Sequence, residues 1–130
     1  GDFDGALAIY AQARRIRDET KTLATSDGAL LLMNMGSAKR AKGQIQEALD
    51  DLSEACRIRF ATGMVETAVG AQLLTLIGAV QFEAGEVQAA LAAYQEARKI
   101  RETTGTLETT DGALLLRNIA TARQQLSPPP

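Results

Sequence analysis

The stretch Asp27-Gly28-Ala29-Leu30-Leu31-Leu32 returns 84 residues later as Asp111-Gly112-Ala113-Leu114-Leu115-Leu116. Extended outward from that match, residues 1–42 lie on residues 85–126 with 21 of the 42 positions identical, among them Ala6/Ala90, Leu7/Leu91, Tyr10/Tyr94, Ala13/Ala97 and Ile16/Ile100. A more diverged copy sits between them. The segments GDFDGAL, GQIQEAL and GEVQAAL open at Gly1, Gly43 and Gly85, which sets the period at 42 residues. Self-similarity at a fixed period of this size marks a stack of supersecondary units, none of which can bury its apolar face alone.

Each period reads as two helices. In the first copy Phe3, Ala6, Leu7, Tyr10, Ala13 and Ile16 fall at the three- and four-residue steps of one helical face. Ile45, Ala48, Leu49, Leu52, Ala55 and Ile58 repeat the pattern in the second copy, and Val87, Ala90, Leu91, Tyr94, Ala97 and Ile100 in the third. Basic residues close each of these helices (Arg14, Arg15, Arg17; Arg57, Arg59; Arg98, Lys99, Arg101), where cations suit the negative end of the helix dipole. A polar Thr-rich stretch follows. The second helix of each period is expected to start at Asp27 or Asp111 as N-cap acceptors, with Thr67 or Glu66 as a weaker cap in the middle copy. It is expected to run to about Lys42, Ala84 and Leu126, with Gly43 and Gly85 making the turn into the next helix. No segment alternates at period two, so no sheet is expected.

Composition excludes more than it suggests. The chain has 130 residues, no His, no Trp and one Cys. That leaves no histidine base, no Cys–His pair and no internal disulfide or zinc site, and points away from an oxidising compartment toward a soluble intracellular protein. Lys plus Arg is 14 against 16 Asp plus Glu, a balance poorly suited to neutralising phosphates, so no nucleic-acid partner is expected. Aromatics are 4% of a chain that is 45% hydrophobic, so the apolar mass is Ala and Leu, strong helix formers. No apolar run approaches the ~20 residues of a membrane helix. Catalysis, a cofactor and a metal are therefore not expected. Acidic neighbours such as Asp50 and Asp51 point in different directions on a helix, and no GxxxxGK[ST] phosphate loop occurs.

The small-residue positions carry a family resemblance. Leu32-x2-Met35-Gly36 precedes Ala48-x3-Leu52, Leu74-x2-Ile77-Gly78 precedes Ala90-x3-Tyr94, the chain opens on Ala6-x3-Tyr10, and it closes on Leu116-x2-Ile119-Ala120. This resembles the tetratricopeptide repeat (TPR), W-x2-L-G-x2-Y…A-x3-F over a helix–turn–helix. The 42-residue period is similar to the longer variant of kinesin light chains. Ile16-Arg17-Asp18 and Ile100-Arg101-Glu102 resemble the close of that variant's long helix, and Leu32-Met33-Asn34-Met35-Gly36 and Leu116-Arg117-Asn118-Ile119-Ala120 the core of the helix after it. The sequence departs from the family where Leu replaces the first helix's aromatic, where Ser26-Asp27 and Thr110-Asp111 replace His-Pro, and where Leu76 replaces Asn. The armadillo repeat has a similar period but needs three helices per unit, whereas two long helical patterns fill each unit here.

The resemblance implies an all-α, right-handed TPR-like superhelical solenoid of six antiparallel helices over residues 1–126. It would comprise two complete units (about 28–61 and 70–103), a half unit at each end, and a proline tail at 127–130 whose extended geometry stops the last helix. It further implies a concave wall lined by Met33, Asn34, Ser37 and Arg40, then Thr75, Ala79, Phe82 and Glu83, then Arg117, Asn118, Thr121 and Gln124. Family members hold extended or helical peptides there, and an Asn amide can pair with a peptide backbone as donor and acceptor. A carboxylate clamp is not expected, because Leu30, Gln72 and Leu114 occupy its positions. The expected role is that of a non-catalytic scaffold for a protein or peptide partner, without membrane insertion. Two alternatives stand beside it: an accessory subunit held, or self-associated, through its end helices (Phe3, Leu7, Tyr10; Leu115, Ile119, Leu126), and a regulatory domain of a longer protein. The recurrent basic residues suit dipole matching and solubility, with a positive ridge as the rival reading, and Cys56 is read as an inert thiol at a helix end.

Overall fold

A computed structural model describes residues 2–127. The proline stop expected at Pro128 to Pro130 lies outside the described residues. Six helices follow one another: α1 Phe3–Thr20, α2 Ser26–Ala41, α3 Ile45–Ala61, α4 Ala68–Glu83, α5 Val87–Thr104 and α6 Thr110–Leu126. No strand occurs among the described residues. The expected boundaries hold within about two residues, and Gly43 and Gly85 turn the chain at φ +81° and +84°, which a residue with a Cβ adopts only at a cost.

The caps differ from expectation in the first and third copies, while in the middle copy the cap is Thr67, one of the two residues expected there. Thr25, Thr67 and Thr109, one period apart, are the N-caps of α2, α4 and α6. Each Oγ1 accepts from the backbone N–H of Gly28, Gly70 or Gly112 at 3.0–3.1 Å. Asp27 and Asp111 stand instead inside the first turn, where their charge favours the helix N-terminus without capping it. The middle copy is capped as well as its neighbours. The glycines are obligatory for a packing reason: a Cβ at Gly28, Gly70 or Gly112 would lie 1.8 Å from the carbonyl oxygen of Leu23, Val65 or Leu107, which is backbone and cannot swing aside.

The chain forms two compact units, divided after Met64. In the first, α1 packs on α2 and α2 packs more extensively on α3. Ala29, Leu32, Met35, Ala48, Leu52 and Ala55 are buried here. A Cβ at Gly36 would lie 2.6 Å from Leu52 Cγ and 3.2 Å from the Ala48 carbonyl oxygen, so α2 and α3 meet almost backbone to backbone. Burying the small alanines on this face lets the helix axes approach, and the branched Leu32 and Leu52 fill the space beside them. The apolar face of α1 is only half-covered among the described residues: Phe3 is 38% and Ile16 50% exposed.

In the second unit α4 packs on α5, α5 on α6, and α4 touches α6. Ala71, Ala90, Tyr94, Ala97, Ile100, Leu115, Ile119 and Ala122 make its core. The small-residue contact recurs with a new partner, since a Cβ at Gly78 would lie 2.5 Å from the Tyr94 ring.

Candidate functional site

Three loops lead into the first helices, α2, α4 and α6, and one device fixes all three. The long helices α1, α3 and α5 end at an Arg one period apart: Arg17, Arg59 and Arg101. The backbone carbonyl of each accepts the N–H of Thr22, Met64 or Thr106 at 2.8 Å. Its guanidinium Nη1 then donates to the carbonyl of that same residue at 3.2, 3.1 and 3.3 Å. N-cap threonines add a second donor, Thr25 to the Thr22 carbonyl and Thr109 to the Thr106 carbonyl. The loop is thus tied at both ends before the first helix begins. Arg59 and Arg101 are buried, which removes them from any exposed positive ridge and gives them a structural task beyond dipole matching.

Most of the other basic residues are engaged as well. Arg14 of α1 reaches Glu54 Oε2 at 3.1 Å and Asp51 Oδ1 at 3.6 Å on α3, while Lys39 of α2 stands 2.6 Å from Asp51 Oδ2. That last contact is held by charge rather than by an aligned hydrogen bond. Asp51 is 5% exposed, so this is a partly desolvated charge cluster joining all three helices of the first unit. Lys42 also pairs with Asp4. Arg15, Arg57 and Lys99 are exposed, and Cys56 is half-buried on α3. A recess of about 340 Å³ opens nearby between the α1–α2 loop (Leu23, Ala24) and the end of α3 (Arg57, Ile58, Ala61).

The residues expected to line a binding wall divide by unit. On α2, Asn34 and Ser37 are exposed, Arg40 is half-buried, and Met33, at 7% exposure, is packed away. On α4, Thr75, Ala79 and Phe82 are half-buried and Glu83 is exposed. Thr75 returns its hydroxyl to the Ala71 carbonyl at 2.8 Å, and Phe82 leans on the core of the second unit. On α6, Arg117, Thr121 and Gln124 are exposed and Asn118 is half-buried. Because α4 touches α6, the second unit brings its two sets onto neighbouring helices. Apolar residues join the exposed first-helix surfaces beyond that set, among them Leu30 at 45% and Leu114 at 46% exposure. Their recurrence at an 84-residue spacing was the sequence signal available for them. Among the described residues, no group of His, Cys, Asp or Glu is placed to hold a metal, and no helix is long and apolar enough to cross a membrane.

No protein-family model and no curated protein sequence matches the chain. Solved structures do. BtubC (BKLC) from P. vanneervenii aligns over 95% of this chain and 50% of its own, with a TM-score of 0.89 at 18% identity. A Podosopora anserina protein named for the kinesin light chain, with nearly identical TPR-like repeats, aligns over 95% of this chain and 59% of its own, at TM-score 0.86 and 21% identity. A single-residue variant of it gives 0.85 and 20% over 94% of this chain and 57% of its own. The chain therefore spans about half to three-fifths of the length of these structures. At such identities the likeness is one of fold: the chain has the TPR-like, all-α repeat fold of these kinesin-light-chain-like proteins.

Proposed function

We propose that this chain is a non-catalytic protein-binding module that holds a peptide segment or partner helix on the surfaces of its first helices. The observation that carries the reading is the state of Asn34 and Asn118. They occupy equivalent positions on α2 and α6, Asn34 exposed and Asn118 half-buried, and neither is spent on a cap or turn. A solvent-accessible amide in mid-helix has a donor and an acceptor to offer a partner's backbone. Arg117 beside Asn118 adds a cation for an acidic side chain, and Leu30 and Leu114 add apolar anchors of the kind that carry binding energy. The rigid loop fastenings support the same role, because a surface that does not reorganise gives up less entropy on binding.

The test is a pull-down from native extract with the wild-type chain and an Asn34→Ala/Asn118→Ala double variant, read by mass spectrometry. The expected result is a discrete partner lost or strongly depleted in the variant. A partner retained equally by both would remove the asparagines from the interface. Neither position is buried, so the variant should keep wild-type helicity and lose little stability.

A further inference from the structure

The end of α3 is apolar where the same place in the second unit is polar. The first unit carries Ala24, Cys56, Phe60 and Ala61 there, and one period on the second unit carries Glu66, Arg98, Glu102 and Thr103. Arg98 Nε meets Glu102 at 3.4 Å along α5, as Arg14 Nε meets Asp18 at 3.8 Å along α1. In the middle copy both members of that ion pair are replaced together, by Cys56 and Phe60. The exposure of these positions belongs to the repeat and not to where the sequence begins or ends. Asp18 and Glu102 are exposed as Phe60 is, and Glu66 and Thr103 as Ala24 and Ala61 are. What the repeat elsewhere gives to a carboxylate, α3 gives to a phenyl ring that is 76% exposed. Such a ring forgoes burial that another surface can supply.

A hole lies beside the knob. The recess of about 340 Å³ is walled by Leu23 and Ala24 of the loop and by Ile58 and Ala61 of α3, and Glu54 and Arg57 line it as well. Phe60, three residues after Arg57, is not among its walls, so the ring does not fill the recess of its own chain. Ile58 is half-buried there, whereas its counterpart Ile100 is only 5% exposed. A knob and a hole on one helix end, with a cation and an anion at the hole, make a patch that is its own complement. That is the requirement of an interface between two copies related by a two-fold axis. A surface that merely filled the recess would leave Phe60 in water, and one that merely covered Phe60 would leave the recess empty.

We propose that two copies of this chain associate through this patch, the Phe60 ring of each entering the recess of the other, where the Arg57 guanidinium meets it as a cation on an aromatic face. The contact involves one helix end and one loop, less than the about 800 Å² per partner of a standard interface, so the dimer is weak and forms at high concentration. It uses none of the first-helix residues proposed to hold a peptide, and the two readings can fail separately.

Sedimentation equilibrium of the intact chain, at concentrations up to about 1 mM, is the test. A monomer–dimer equilibrium is expected. Phe60→Glu removes the knob and should weaken the dimer about tenfold or more. Ala24→Glu with Ala61→Thr puts charge and bulk into the recess while keeping Phe60, and should weaken it as much. All three positions are exposed and the replacements already stand in the second unit, so both variants should keep wild-type helicity by circular dichroism. Ile9→Glu on α1 and Leu116→Glu on α6 add the same charge at exposed apolar positions outside the patch and should leave the equilibrium unchanged. The proposal is overturned if the chain stays monomeric throughout, or if the dimer persists in either patch variant. It is equally overturned if Ile9→Glu or Leu116→Glu dissolves the dimer, which would move the contact to an end helix.

Discussion

The hairpins α2–α3 and α4–α5 solve the same packing problem with different side chains. In both, a glycine on the first helix lets the second helix press a large residue against bare backbone, Gly36 under Leu52 in one and Gly78 under Tyr94 in the other. In both, the alanine one turn earlier (Ala48, Ala90) is fully buried. Around that shared contact the hairpins diverge. The first has a desolvated Lys39–Asp51–Arg14 cluster at its edge. The second has Gln81 and Ala93 at the matching positions, and the Gln81 amide oxygen is buried without a partner. Backbone spacing is therefore the conserved quantity of the repeat, and the polar edge is free to vary.

The largest effect should fall on what the two units share. Gly28→Ala and Gly70→Ala each place a methyl 1.8 Å from a carbonyl oxygen of the preceding loop. Relief requires the loop or the first helix to move, so each should cost about 3 kcal/mol or more by denaturant unfolding. Similar losses in both units are expected. A loss confined to one would show that the loops are not equivalent.

The next effect should separate the units. Asp51→Ala leaves Lys39 and Arg14 facing each other over an apolar edge, at a cost of about 2 kcal/mol, below the range of fully buried pairs because both cations retain some water. The complementary graft sharpens the contrast. Ala93→Asp alone should destabilise the second unit, and adding Gln81→Lys should recover about 1 kcal/mol of the loss as a coupling energy. Zero coupling would mean that the cluster depends on Arg14 rather than on the Lys39–Asp51 pair.

The Arg fastenings come third. Arg59→Ala and Arg101→Ala each remove a buried donor from a loop carbonyl, for about 1–2 kcal/mol. The copies should differ, because the Arg101 Nε is buried without a partner and offsets part of what its Nη1 contributes. Arg17, with 30% of its side chain exposed, should lose least.

How much of this was legible follows from the kind of signal each feature leaves. The period, the six helices and the small residues at 36, 48, 78 and 90 are patterns of residue type, and spacing alone exposes them. The caps of α2 and α6 are not legible because several hydroxyls precede Asp27 and Asp111, and only the backbone geometry selects Thr25 and Thr109. The Arg fastenings were hidden for a different reason. A basic residue at a helix end already has a sufficient explanation in the dipole, and nothing in the sequence distinguishes an Arg that turns back onto its own loop. Of the expected binding wall, Met33 is packed away while Asn34, Ser37, Arg117, Thr121 and Gln124 stand exposed. Both groups fall within one helical stripe, and only the neighbour's packing separates them.

The smallest effect concerns the one loop that breaks the pattern. Gly63 and Gly105 close α3 and α5 with φ +73° and +70°, and the residue one period before them is Lys21, at φ +57°. All three make the same closure, an N–H in the next residue returning to the Arg carbonyl five residues back at 2.8 Å. The turn geometry is therefore set by the helix end and the Arg fastening, and Lys21 adopts it at the left-handed penalty of about 1 kcal/mol that a Cβ incurs. Lys21 is exposed and makes no contact that Gly would lose beyond its own stem. Lys21→Gly should relieve the native strain while granting the unfolded chain more freedom, a partial cancellation that leaves a net gain of about 0.5 kcal/mol. Gly105→Lys, the reverse change in the second unit, should lose a similar amount. If both substitutions prove destabilising, the α1 terminus is held by its lysine rather than by the Arg17 closure, and the three loops are alike in shape but not in cause.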